Sequence, residues 1–152
     1  MSNKLIVSPS PHIRDSASTS TIMRDVLIAL APAMVAAVII FGFRALLMTA
    51  VCVAACLVFE YGTERILGRE VTISDLSAAV TGVIFCFNLP VQLPLWMAVV
   101  GCFFAIVIVK QLFGGIGNNF ANPAIAARIF LLLSFSQQMT TWLQVENGHA
   151  VE

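Results

Sequence analysis

Residues 110–130, KQLFGGIGNNFANPAIAARIF, combine glycines, asparagine amides and one arginine between two long apolar runs. Backbone N–H groups and amides can hold a ligand, and the positive end of a following helix adds to that attraction. A dinucleotide-binding fingerprint is excluded because no predicted strand precedes the glycines and the third glycine of that motif is absent. The candidate cofactor-binding residues are Gly114, Gly115, Gly117, Asn118, Asn119, Asn122 and Arg128.

The same stretch predicts where the flanking helices end and begin. Each glycine inside a helix costs about 1 kcal/mol relative to alanine, so we expect the preceding helix to end near Phe113. Asn122 followed by Pro123 is the preferred pairing of an N-cap and a first helical residue. The segment between them is therefore predicted to be non-helical.

The four cysteines and the two histidines, His12 and His149, provide little further chemistry. Cys52 and Cys56 lie one helical turn apart, which raises the possibility of a metal or iron–sulfur site, but the short ligand spacings of such sites are missing. Cys86 and Cys102 also lie within apolar runs. Small residues help membrane helices to pack, so we expect a packing role for all four. No catalytic residue is identified on the chain.

Composition places the chain in a membrane. Hydrophobic residues make up 59% of the sequence and charged residues 11%, far from the roughly one quarter charged that is typical of soluble domains. We predict an all-α polytopic membrane protein of about five helices, one of which is a candidate for a discontinuous helix. The apolar runs are 26–43, 45–59, 76–89, 95–109 and 121–135. Several runs are shorter than the roughly 20 residues that a complete crossing needs.

Residues 114–122, here called the glycine–asparagine link, have two possible arrangements in a membrane. It is either a cytoplasmic turn or a re-entrant segment, because non-helical backbone at membrane depth must be satisfied by protein or by a water-filled cavity. Arg128 lies about 7 Å into the fifth helix. A charge at that depth either faces a partner or polar cavity or extends back to the headgroups.

The charged segment 60–79 contains two further features. Glu60 lies one turn from Glu64, at the end of an apolar run. An acid there is either a way-station for a cation or proton or an interfacial anchor beside Arg65, and the position favours the anchor. Thr72 and Asp75 have the spacing of a capping box, which predicts that Asp75 is a helix cap.

The distribution of basic residues predicts the orientation, because cytoplasmic loops are enriched in them. With the N-terminus inside, only Arg44 lies outside, and Trp96 and Trp142 fall near the outer boundary. The cytoplasmic basic residues are then Lys4, Arg14, Arg24, Arg65, Arg69 and Lys110. The predicted organisation is a polar cytoplasmic arm (1–25), a membrane domain (26–136) and an outer-side tail (137–152).

Three segments resemble the RnfD subunit of the Rnf complex and its relative, the NqrB subunit of the sodium-pumping NADH:quinone reductase. They read TISDLSAAVTGVIFCFNLPVQLPLW, VIVKQLFGGIGNNFANPAIAARIFLLLSF and QQMTTW. The amino-terminal SPHIRDSASTSTIMRDVLIALAPA is similar to the start of that family as well. The resemblance extends to Trp142.

This resemblance implies a membrane subunit of an ion-translocating ferredoxin:NAD oxidoreductase in the cell inner membrane, assembled with other Rnf-type subunits and moving Na⁺ or H⁺. It also implies two inverted repeats, of which this chain would be the first, and covalent FMN on a threonine, with riboflavin as a further candidate. The attachment motif Ser-Gly-Ala-Thr-x-x-Thr is absent, and Thr140 and Thr141 do not match it. We therefore expect either a fragment of a longer subunit or a shortened homologue.

Two other functions fit the same residues. Broken helices beside a polar cavity are also how secondary transporters bind substrates, so a transporter or channel half without a redox cofactor is one alternative. The other is a purely structural membrane subunit, in which glycine, asparagine and cysteine serve helix packing.

Overall fold

The computed structural model describes residues 18–69, 71–115, 117–119, 121–146 and 149–151. Its helices are α1 (Thr19–Phe41), α2 (Phe43–Ile66), α3 (Ser77–Phe87), α4 (Leu95–Phe103), α5 (Pro123–Ser134) and α6 (Ser136–Thr140). A turn of 3-10 helix (Ile73–Asp75) precedes α3, and a π-helical stretch (Phe104–Gln111), here called the π segment, continues α4. The strands are β1 (Gln144–Glu146) and β2 (His149–Val151).

The first two helices form an antiparallel pair with a very short corner. Ser18 caps α1, since its hydroxyl accepts the N–H of Thr21 at 3.3 Å. The helix thus begins at Thr19, within the segment predicted as a polar arm. Gly42 alone connects α1 to α2, with φ of 73°, a left-handed conformation that glycine adopts without steric cost.

Helix lengths divide the bundle into long and short members. At 1.5 Å per residue, α1 with 23 residues and α2 with 24 are each long enough for a hydrocarbon core of about 30 Å. The other three apolar helical stretches are shorter: α3, α4 with its π segment, and α5. The predicted all-α polytopic membrane architecture is confirmed, and within the described part of the chain two helices are long enough to cross alone.

The middle of α2 is the centre of the packing. Gly82 of α3 lies against the α2 backbone, so that an added Cβ would be 2.9 Å from the Cα of Val53. The four cysteines are all buried in this core, and the thiol of Cys102 lies 3.6 Å from the carbonyl oxygen of Cys52. Small side chains here allow the three helices α2, α3 and α4 to approach closely.

The link and the tail complete the fold. Asn122 caps α5 as predicted, accepting the N–H of Ala124 at 3.0 Å, and Pro123 is the first residue of the helix. The preceding helical stretch ends at Gln111, close to the predicted end. In the predicted tail, β1 and β2 form an antiparallel pair with Val145 opposite Ala150, an element that the sequence analysis did not predict.

Candidate functional site

Two glutamates lie on the buried face of α2 near its C-terminal end. Glu60 and Glu64 are one turn apart and therefore face the same way. Their exposed fractions are 0% and 2%. Carboxylates are almost never fully buried unless they are paired, so their partners define the site.

The partners come from the end of the π segment. The Lys110 ammonium forms an ion pair with Oε1 of Glu60 and is 2% exposed. The Gln111 amide donates to Oε1 of Glu60 at 3.2 Å and to Oε1 of Glu64 at 3.3 Å. Both consecutive residues are buried. Wide π turns are frequent at functional sites. Here the π segment places Lys110 and Gln111 against the glutamates of α2.

The start of α3 and the loop before it complete the cluster. Lys110 also donates to the hydroxyl of Ser77, the first residue of α3. The backbone N–H of Thr72 donates to Oε2 of Glu64 at 3.1 Å, and its hydroxyl donates to Oε1. We call these six residues the buried polar cluster: Glu60, Glu64, Thr72, Ser77, Lys110 and Gln111.

These contacts correct two sequence predictions. Glu60 is not an interfacial anchor beside Arg65, because it is fully buried against Lys110, whereas Arg65 contacts the Tyr61 hydroxyl at 3.2 Å. The Thr72–Asp75 capping box is also wrong, because the Thr72 hydroxyl is used by Glu64. Asp75 does accept the N–H of Ser77 at 2.9 Å, so it supports the start of α3 without the reciprocal bond.

The charges within the cluster are not balanced. Two buried carboxylates, Glu60 and Glu64, face one buried ammonium, Lys110. Both donors to Glu60 use Oε1, and Oε2 has no hydrogen-bond partner among the described residues. A buried oxygen without a partner costs free energy. Oε2 of Glu60 is therefore open to a further hydrogen-bond donor, a cation or a proton.

A polar cavity of about 590 Å³ adjoins the cluster. Arg69 lies on its wall and donates to the Gln111 carbonyl at 2.8 Å. The wall also includes Thr19, Glu64, Val71, Thr72, Ser74, Asp75, Lys110, Gln111, Gly114 and Gly115. The buried residues Glu64 and Lys110 thus border a space that is large enough for water or a small ligand.

The structure brings only part of the predicted glycine–asparagine site to this cavity. Gly114 and Gly115 lie on its wall, with φ of 107° and 89°, and Gly117 has φ of 86°. The Asn118 amide packs against Gly114, 3.2 Å from where a Cβ would lie. Oδ1 of Asn119 is buried without a hydrogen-bond partner among the described residues.

The other two predicted site residues lie elsewhere. Asn122 caps α5 and borders a separate apolar pocket with Ile125 and Phe130. Arg128 crosses to α3, where it donates to Oδ1 of Asn88 at 3.0 Å. Arg128 therefore has a protein partner, as one of the two predicted alternatives required. A role of any of these seven residues in cofactor binding stays a prediction.

Sequence reasoning missed Lys110, Gln111, Ser77 and the pairing of both glutamates. Lys110 had been counted as a cytoplasmic loop charge, although it is buried. One signal was available: two acids at i and i+4 in an apolar helix need a cation, and Lys110 is the basic residue at the end of another apolar run.

Comparison with known proteins identifies one matching family and several similar proteins. The family model described as NQR2, RnfD, RnfE family matches residues 6–151. The chain is 51% identical over 137 residues to the D subunit of the Na⁺-translocating ferredoxin:NAD⁺ oxidoreductase complex of Acetobacterium woodii, covering 90% of this chain and 43% of that protein.

Two further relatives are the D subunits of ion-translocating oxidoreductase complexes. Identity is 37% for the protein of Shewanella frigidimarina, covering 90% of this chain and 40% of the relative. It is 39% for that of Shewanella pealeana, covering 90% and 39%. The chain thus spans about two fifths of the length of the curated relatives that it matches.

Proposed function

This chain belongs to the NQR2, RnfD, RnfE family, and we propose that it forms part of a membrane subunit of a translocase that couples ferredoxin:NAD oxidoreduction to Na⁺ or H⁺ movement. The names of its relatives support this proposal, since one belongs to a Na⁺-translocating ferredoxin:NAD⁺ oxidoreductase complex. Its partners would be the other subunits of an Rnf-type complex. The proposed location is the cell inner membrane with the N-terminus in the cytoplasm.

The observation that carries the ion-translocating part is the buried polar cluster. Ionisable residues within membrane helices are costly, and they commonly mark ion pathways or proton relays. Glu60, Glu64 and Lys110 are such residues, and their contacts leave Oε2 of Glu60 unpaired among the described residues. We propose that an ion or proton occupies this position transiently, with Lys110 serving as the resident counter-charge between transfers.

The arrangement suits an ion that must leave again. Lys110 neutralises Glu60 but leaves Oε2 of that carboxylate without a hydrogen-bond partner among the described residues. An arriving cation would therefore compete with the ammonium for Glu60. A site that holds an ion too tightly would not release it. The neighbouring polar cavity, lined by Arg69 and Asp75, would supply the route between the cluster and water.

In this proposal, electron transfer is carried out by a flavin that is not covalently attached to this chain. A flavin supplies the redox chemistry, and the protein supplies position and surroundings. The hydroxyls of Thr140 and Thr141 both donate to backbone carbonyls of α6, and neither stands in the attachment motif. We propose that covalent FMN is attached outside this chain.

A non-covalent flavin such as riboflavin is an alternative occupant of the polar cavity, proposed in place of the ion route. The polar cavity has a volume within the range of about 300–1,000 Å³ that is common for cofactor pockets. Gly114 and Gly115 would give a ring system access to bare backbone on one wall. Bound flavin in the purified protein, lost when Gly115 is replaced by valine, would support this placement.

The proposed function is tested by isolating the native polypeptide from membranes. Intact mass, co-purifying subunits, flavin fluorescence of the denatured band and ferredoxin-dependent NAD reduction are measured on one preparation. We expect co-purification with redox subunits and Na⁺ or H⁺ uptake that depends on electron transfer. A polypeptide without redox partners and without flavin would overturn the proposal in favour of a transporter-like half or a scaffold.

A further inference from the structure

A second cavity lies at the opposite end of α2 from the buried polar cluster. Its volume is about 320 Å³, room for about ten groups of the size of a water molecule. The wall is formed by α1, α2, α3 and the segments that follow α3 and α6. Representative lining residues are Ala33, Ala37, Met48, Phe87, Val91 and Trp142. We call this space the apolar cavity.

The buried polar side chains on its wall, Thr49 and Cys86, already have partners. The Thr49 hydroxyl donates to the Ala45 carbonyl at 2.8 Å and lies 3.4 Å from the thiol of Cys86. A polar ligand would therefore find few partners inside and would lose its hydration. An apolar chain has the opposite preference, because its transfer out of water is favourable.

A cation, Arg44, lies at the rim of the apolar cavity. Arg44 donates from Nε to the Val91 carbonyl at 2.9 Å and from Nη2 to the Gln92 carbonyl at 3.0 Å. Its neighbour Ala45 and its partner Val91 both line the cavity. Arg44 is exposed, and it takes part in no ion pair within the described part of the chain. The two carbonyls orient the guanidinium while leaving Nη1 available.

We propose that the apolar cavity binds an acyl chain of an anionic phospholipid whose phosphate is held by Arg44. The charge of the headgroup and the apolar character of the chain match the two parts of the site, and arginine is well suited to phosphate. Trp142 lies at the rim with 53% of its surface exposed, as is usual for an indole between lipid tails and headgroups.

The test uses the assembled complex, washed in detergent and analysed for retained phospholipid by quantitative mass spectrometry. Ala37→Phe fills the cavity, and Ala36→Phe adds the same side chain at an exposed neighbouring position outside the lining. We expect Ala37→Phe to lose an anionic phospholipid that the wild type and Ala36→Phe retain. Arg44→Gln should weaken anionic lipid binding about fivefold, the effect of one basic residue near an anionic headgroup, and Arg44→Lys should preserve most of it.

Other outcomes would overturn the proposal. Loss in Arg44→Gln alone, with Ala37→Phe unchanged, would mean that the phospholipid is held by its headgroup with no acyl chain in the cavity. Loss in Ala37→Phe alone would mean that an acyl chain occupies the cavity while Arg44 does not hold the phosphate. Retention unchanged in every variant would mean that no lipid binds there.

A second measurement does not depend on the folding of a cavity variant. Phosphatidylglycerol with a brominated acyl chain is titrated into the detergent-purified complex, because bromine quenches a tryptophan that it contacts. We expect saturable quenching that is lost in Trp142→Phe and kept in Trp96→Phe. Quenching that does not saturate, or that is the same in both variants, would contradict the proposed site.

Discussion

The two ends of α2 treat charge in opposite ways. Arg44, in the first turn, is exposed and donates to two loop carbonyls. Glu60, near the last turns, is fully buried and paired with Lys110. A charged side chain that reaches the headgroups costs little free energy. Burying an ion pair costs desolvation free energy, which the attraction between the two charges seldom exceeds. This difference indicates that the Arg44 end of α2 faces the outside of the helical bundle, whereas the buried charges at the Glu60 end have a function inside the bundle.

The largest effect is expected from separating the buried pair. Lys110→Met would leave Glu60 without its counter-charge and should lower the free energy of unfolding by about 3–5 kcal/mol. The double variant Glu60→Met/Lys110→Met should recover most of that loss, because no buried charge of the pair is left. Unfolding in detergent measures both. Equal instability of the single and double variants would mean that the pair is not the source of the effect.

The middle of α2 should depend on packing and not on charge. Gly82→Ala places a Cβ 2.9 Å from the Cα of Val53 and 3.1 Å from the Cys52 carbonyl oxygen. Because backbone atoms cannot rotate away, we expect a destabilisation of about 1–3 kcal/mol. The matched control is Gly62→Ala, where no atom lies within 4 Å of the added Cβ. That change should stabilise α2 by up to about 1 kcal/mol, and equal effects at both positions would refute the packing account.

Arg128 provides an intermediate case, since its contact with Asn88 is a single side-chain hydrogen bond. A double-mutant cycle with Arg128→Gln and Asn88→Ala should give a coupling of about 0.6 kcal/mol, the average for such bonds between membrane helices. Unfolding free energies of the four proteins provide the value. Coupling near zero would mean that Arg128 extends to the headgroups instead.

The smallest effect on stability is expected at the exposed end. Arg44→Gln should change the free energy of unfolding by no more than about 0.5 kcal/mol, as is usual for surface substitutions. Unfolding in delipidated detergent is the appropriate measurement, because bound lipid would add its own contribution. A loss as large as that of Lys110→Met would remove the contrast between the two ends of α2.

Features set by neighbouring residues could be predicted from the sequence. The cap and first residue of α5 depend only on Asn122 and Pro123. The apolar runs 26–43 and 45–59 locate the two long helices, although α1 begins before its run and α2 extends past both ends of its run. The cluster could not be predicted in the same way. Glu60 finds Lys110 fifty residues further along the chain, through a π segment whose wider turns change which side chains face α2. A pattern based on the regular helical period misses that change of register.

The most direct test of an ion pathway through the buried polar cluster is the ratio of ions moved to electrons transferred by the reconstituted complex carrying Glu60→Gln. We expect electron transfer to continue while ion uptake per electron falls to the background leak, and we expect Glu60→Asp and the exposed Asp25→Asn to keep the ratio. If Glu60→Gln does not assemble, Glu60→Gln/Lys110→Gln removes both charges together. A wild-type ratio in these Glu60→Gln proteins would contradict the claim that the buried polar cluster lies on the ion pathway.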